Sequence, residues 1–134
     1  MLLSPQNALT FILAGNATVT FRSLKTDKHL TFKVKRSKKN KDIHHVTVLT
    51  GTNNDEDYSY IGYIKANRFY TTGKAETSKG IAEFAYVFNA LNISSPKLNQ
   101  VEIMHSNKCG RCGRTLTRPE SILTGIGPEC ISKR

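Results

Sequence analysis

Two stretches decide the fold class: Ala17-Thr18-Val19-Thr20-Phe21-Arg22 and Leu30-Thr31-Phe32-Lys33-Val34-Lys35. In each, an apolar side chain recurs at every second position, and the positions between carry Thr, Lys or Arg. A period of two with one apolar face is the pattern of a half-solvated antiparallel sheet. Residues 24–28 between them read as the hairpin turn. Working outward, Val46 and Val48 mark a third strand. Tyr58, Tyr60 and Ile64 mark a fourth, entered through the turn-forming run Asn53-Asn54-Asp55-Glu56-Asp57. Residues 67–71 fit a short fifth.

Helices flank this sheet. Ser4-Pro5 supplies an N-cap and a residue pre-organised for the first helical turn. Ala8, Phe11 and Ile12 follow at helical spacing, and Gly15 fits the left-handed position that ends a helix, so residues 5–14 are expected to be helical. The clearest helix carries Ile81, Phe84, Ala85, Phe88 and Leu91 on one stripe, with Ser78 as its expected N-cap and Asn92 as its end. The chain returns as a strand over residues 100–105, with Val101, Ile103 and His105 on one face. The fold class is therefore α+β: a mostly antiparallel sheet of four or five strands, one or two packed helices and a C-terminal segment whose cysteines, Cys109, Cys112 and Cys130, have the spacing of a zinc knuckle. Residues 1–100 form the sheet and helix body. Residues 101–134 form a metal-binding module packed on the same domain.

At 134 residues the chain suits one domain with a modest core, and its 38% apolar content is too high for a disordered tail. No stretch approaches the roughly 20 apolar residues of a membrane span, so no membrane partner is expected. The short apolar run near the N-terminus lacks a basic segment before it and does not read as a signal peptide. Three cysteines are an odd number for a disulfide framework, which points to a reducing cytosol.

Those cysteines form the most specific motif, His105-x3-Cys109-x2-Cys112-x17-Cys130. Zn2+ takes four nitrogen or sulfur ligands in a tetrahedron, and a Cys-x2-Cys pair brings two thiolates to one ion from a tight turn. Gly110 and Gly113 relieve the backbone around that turn. His105 can reach back from the end of its strand. Cys130 must return from a distance, through a short helix that Thr117-Arg118-Pro119-Glu120 would open and Gly125 would close. His29, His44 and His45 are alternatives to His105, which the spacing favours. Four protein ligands leave no open position, so the zinc would be structural. A redox Cys-x2-Cys pair opens a helix in a βαβ unit, which Gly-Arg-Cys-Gly does not resemble.

Ala14-Gly15-Asn16-Ala17-Thr18-Val19-Thr20, then Val48-Leu49-Thr50-Gly51 with Tyr58-x-Tyr60-x-Gly62, resemble a family of small bacterial, phage and plasmid proteins of unknown function. The strongest likeness is Cys109-Gly-Arg-Cys112-Gly-Arg-Thr-Leu-Thr-x-Pro119-Glu-Ser121-Ile-x-x-Gly125-Ile-Gly-Pro-Glu-Cys130. The resemblance implies a zinc-binding module of bacteria or their phages and plasmids, and no activity.

Charge carries the functional expectation. The net charge is +10, and residues 22–41 hold nine basic side chains against one acidic, Asp27. Neutralising phosphates with such a cluster releases counterions, so nucleic acid, DNA or RNA, is the expected partner. Lys33, Lys35, Arg36, Lys38, Lys39 and Lys41 form the first cluster, and Arg111, Arg114 and Arg118 around the cysteine motif form a second. Tyr58, Tyr60, Tyr63 and Tyr70 could stack on bases, although Tyr58 and Tyr60 also suit a half-buried core. No DNA-reading motif such as a helix-turn-helix is present, and the spacing is not that of a two-Cys, two-His finger. The alternative is a phage or plasmid module that docks on a host protein as an inhibitor or regulator. A basic stripe joining the two clusters favours nucleic acid, and a large exposed apolar patch favours a protein partner. No enzyme is expected: hydrolase, nucleotide-binding and metalloprotease motifs are all absent. His44-His45 is a weak acid/base pair, and Asp55-Glu56-Asp57 reads as a solvated turn.

Overall fold

The computed structural model describes residues 2–51, 56–116 and 119–127. Strands β2 (Asn16–Ser23) and β3 (His29–Arg36) pair antiparallel, with Ala17 opposite Val34, Val19 opposite Phe32 and Phe21 opposite Leu30. The apolar positions of the two strands thus meet on one face, as their period of two requires. Strand β4 (Ile43–Leu49) adds Val46 and Val48 to that face, and β5 (Tyr58–Lys65) adds Ile61 and Ile64. A short strand, β6 (Arg68–Tyr70), closes one side. On the other side β7 (Val101–His105) pairs with β2, and β1 (Leu2–Leu3) pairs with β7.

The sheet therefore has seven strands in the order β1-β7-β2-β3-β4-β5-β6, every neighbour antiparallel, rather than the expected four or five. Strand β1 is two residues long and carries no periodicity to read. The last strand inserts between the first two, a long-range pairing that local pattern does not encode.

A second difference concerns β5. Strict alternation puts Tyr58, Tyr60 and Ile64 on one face. The register shifts between Val46 and Thr47, so that Val46 faces Gly62 while Thr47 faces Tyr60, and Ile61 is the extra residue. A β-bulge of this kind re-phases everything on one side of it. Tyr58 and Tyr60 consequently share the face of Tyr63, and Ile61 and Ile64 are buried on the other.

Helices α1 (Pro5–Ile12) and α2 (Ile81–Asn92) cover the apolar face. Helix α1 starts after Ser4 with Pro in its first turn, as expected, and ends two residues early. The N-cap of α2 is Gly80 in the left-handed region, not Ser78, and its buried face includes Val87 and Ala90 beside Phe84, Phe88 and Leu91. Phe84 is the centre of the core: its ring lies 5.8 Å from Phe21, 5.1 Å from Phe32, 4.9 Å from Phe69 and 5.7 Å from Phe88. A 3-10 turn (Pro96–Gln100), capped by Ser95, leads into β7. A third helix, α3 (Pro119–Thr124), begins at the expected proline and packs near α1 and β1, so that Cys109, Leu116 and Ile126 belong to the same core. Among the described residues, no helix is long and apolar enough to cross a membrane.

Candidate functional site

Beyond β7 the chain makes a tight hairpin. Lys108 bridges to Thr115, the Cys109 amide donates to the Arg114 carbonyl at 2.8 Å, and the Leu116 amide donates to the Asn107 carbonyl at 2.7 Å. The Cys-x2-Cys segment is its tip. The Gly113 amide donates to the Cys109 carbonyl at 2.9 Å, and Gly113 takes φ +81, a left-handed conformation that costs a residue with a Cβ. This is the local reason for Gly after the second cysteine.

The turn gathers N–H groups around one sulfur. Cys109 Sγ accepts from the Gly127 amide at 3.2 Å and from the Arg111 amide at 3.4 Å. Burial pushes the Cys109 thiol up, but the amides of Gly127, Cys112 and Arg111 and the Cys112 thiol outweigh it and hold it at about 7. Cys109 is buried and Cys112 exposed. A sulfur poised to be a thiolate, beside a second cysteine, fits a soft divalent metal such as zinc.

His105 stands differently. Its Nδ1 accepts from the Asn107 amide at 2.9 Å, and its Nε2 donates to the Ile122 carbonyl at 2.5 Å. Burial lowers its pKa against that carbonyl's opposing effect, so the ring is held neutral. Ligation by His105 would cost one of these two bonds. Among the described residues, no three His, Cys, Asp or Glu side chains gather as a metal-holding group. Cys130 and Arg118 lie outside the described residues, as do Thr117 and residues 52–55 of the acidic turn.

The Lys-rich end of β3 and the turn bearing Arg111 and Arg114 meet at one end of the sheet. Lys33 and Lys35 occupy the open face of β3, Arg36 its end, and Lys38, Lys39 and Lys41 the exposed β3–β4 loop. Lys35 pairs with Asn16 in the sheet, and the Arg36 amide donates to the Gly15 carbonyl at 3.0 Å. The Asn16 amide in turn donates to the Gly110 carbonyl at 2.7 Å, inside the Cys-x2-Cys turn. Gly15-Asn16 thus joins the Lys-rich end of β3 directly to the turn bearing the exposed Arg111 and Arg114. The ion pairs of Arg22 with Asp27 and Glu102 lie elsewhere.

His44 and His45 do not form a pair. Consecutive strand residues point to opposite faces. His44 is buried, with its ring 3.1 Å from the Leu13 carbonyl, and His45 is exposed on the open face. There it joins the tyrosines already read as possible stacking faces, a place that the sequence pattern did not give to His45. Its ring lies 5.8 Å from Tyr60, Tyr63 stacks on Tyr70 at 5.2 Å and 25°, and Lys33 Nζ sits 4.4 Å over the Tyr58 ring. The Tyr60 phenol is raised above its usual range by burial and by Tyr63, so it is uncharged at neutral pH. The signal for His45 was its place between the buried Val46 and His44 in the alternation of β4.

A family model described as a family of unknown function (DUF6011) matches residues 102–134, the stretch from β7 through the cysteine motif. No curated protein and no solved structure matches the chain. The likenesses noted at residues 14–20 and 48–62 fall outside the matched stretch.

Proposed function

We propose that this is a small zinc-binding, basic protein that binds nucleic acid through its phosphate backbone. One observation carries the reading: Gly15-Asn16 couples the end of β3 to the Cys-x2-Cys turn, which brings the Lys-rich end of β3 and the turn bearing Arg111 and Arg114 to one end of the molecule. Lys35, Arg36, Lys38, Lys39, Lys41 and Arg114 make no ion pair among the described residues. Lysine is a flexible point charge that reads bases poorly, so contacts of this kind fix position without sequence. Zinc would be held by Cys109, Cys112 and Cys130, with His105 as fourth ligand at the expense of a backbone hydrogen bond. Bound there, the ion would serve a structural role, with these ligands pinning the segment after β7 and so holding Arg111 and Arg114 relative to β3.

Gel shifts with single- and double-stranded DNA and RNA at several salt concentrations test the first half. Binding should be largely independent of sequence and fall steeply with salt. Reversing Lys35, Arg36, Lys38 and Lys39 to Glu should abolish it and leave zinc content unchanged. Metal analysis of protein purified without chelator tests the second half, with one zinc per chain expected. Full zinc retention by His105→Ala would reassign the fourth ligand.

A second reading, docking on a host protein, has one feature in its favour. An open groove of about 1100 Å³ runs between the β2–β3 hairpin and α2, with Phe21, Leu30 and Val87 in its lining and Tyr86 exposed at its wall. Failure to bind any nucleic acid at low salt would pass the function to this groove.

A further inference from the structure

We infer that the open face of the sheet is a stacking platform for single-stranded nucleic acid, with His45, Tyr60, Tyr63 and Tyr70 beneath the bases and Lys33 and Lys35 against the phosphates. This rests on the nucleic-acid reading above and names its substrate class. The sheet register supplies the argument. Lys35, His45, Tyr63 and Tyr70 stand opposite one another on four successive strands, and Lys33, Thr47 and Tyr60 form the adjacent row. With strands about 4.8 Å apart, the first row spans about 14 Å, from the basic end of β3 to the far edge of the sheet.

Every side chain in the two rows is exposed or half-buried, and both helices of the core lie on the opposite face. The rings are paired across strands, His45 with Tyr60 and Tyr63 with Tyr70, which holds them upright at low entropic cost. Two carboxylates near this face are engaged: Glu102 by Arg22, and Glu76 by the Tyr60 amide at the edge of β5. A neutral aromatic floor bordered by cations complements a strand of bases bordered by phosphates.

The chemistry selects single strands. In a duplex both faces of each base are covered by its neighbours, so a protein ring can stack only by breaking that stack. An unpaired base offers its face freely, and stacking on Tyr or His tolerates any base. The bland alternative is that these rings merely brace the sheet, in which case their loss would change stability and not affinity.

The chain has five tyrosines and no tryptophan, and four of those tyrosines lie on this face, so intrinsic fluorescence reports on it directly. Wild-type protein would be titrated with DNA and RNA single strands of about 12 nucleotides and with the matching duplexes at equal salt. Tighter binding of single strands, with quenching of tyrosine fluorescence, is the expected result. Tyr63→Ala with Tyr70→Ala should weaken single-strand binding about tenfold to a hundredfold, with the salt slope unchanged. Tyr63→Phe with Tyr70→Phe should restore it. Equal affinity for single strand and duplex without quenching overturns the platform and leaves the backbone reading standing. No binding at low salt overturns both. Should the Ala variant fail to fold, the wild-type quenching and strand preference decide alone.

Discussion

The two faces of the sheet are built from the same strands and sort their aromatic residues by one atom. All six phenylalanines, Phe11, Phe21, Phe32, Phe69, Phe84 and Phe88, belong to the covered face or the helices packed on it. Tyr58, Tyr60, Tyr63 and Tyr70 lie on the open one. A phenyl ring gains from complete removal from water, about 1.5–3 kcal/mol each. A phenol carries a hydroxyl that needs a partner when buried. The covered face therefore holds the protein together, and the open face spends large aromatic area where a partner can reach it.

The strongest test of this division is Phe84→Ala. It removes the ring touching four other phenylalanines, and thermal or denaturant unfolding should show a loss of about 3–5 kcal/mol. A loss under 1 kcal/mol would mean that the covered face is not the core. Next comes Gly125→Ala. A Cβ there would stand 2.4 Å from the Phe11 ring, at φ +74, so the covered face beneath the C-terminal helix must shift. A loss of about 1–3 kcal/mol is expected in the same assay.

His44 provides a test by pH, because it is the titratable side chain of β4 on the covered face. Burial, the leading cause, lowers its pKa, helped by Arg36 and His45 and opposed by the Leu13 carbonyl. The unfolded chain then binds protons that the folded chain refuses. The His44 contribution to stability is complete above the ordinary value of 6.5 and is lost as pH falls from there toward the lowered folded value. His44→Asn should flatten the slope of stability against pH in that window. An unchanged slope would assign it to other groups. The smallest effect is expected at Tyr63→Phe on the open face, within about 0.5 kcal/mol of wild type. A larger loss would show that the Tyr63 hydroxyl, and not only its ring, supports the sheet.

Much of this was legible in the sequence. The alternation over residues 17–22 and 30–35, the Ser4-Pro5 start of α1, the Phe84/Phe88/Leu91 stripe and the glycines around Cys109 and Cys112 all act through local physics. Period, capping and backbone sterics are properties of a few neighbouring residues, so the sequence displays them. Charge density around residues 33–41 is likewise local.

What the tertiary structure decided depends on contacts between distant segments. The insertion of β7 between β1 and β2 brings the cysteine turn to Gly15-Asn16 and so to the end of β3. No local pattern encodes that pairing, because its energy comes from residues some eighty positions apart. The bulge at Ile61 turns Tyr58 and Tyr60 to the open face against their apparent parity, since register is set by the partner strand and not by the strand itself. His105 has the spacing of a ligand, yet its ring is engaged by the Asn107 amide and the Ile122 carbonyl, a partner from a later helix. The sequence determined which residue types each element presents. Only the packing of those elements determined which of them face the same ligand, because that depends on pairing partners that no short stretch of chain contains.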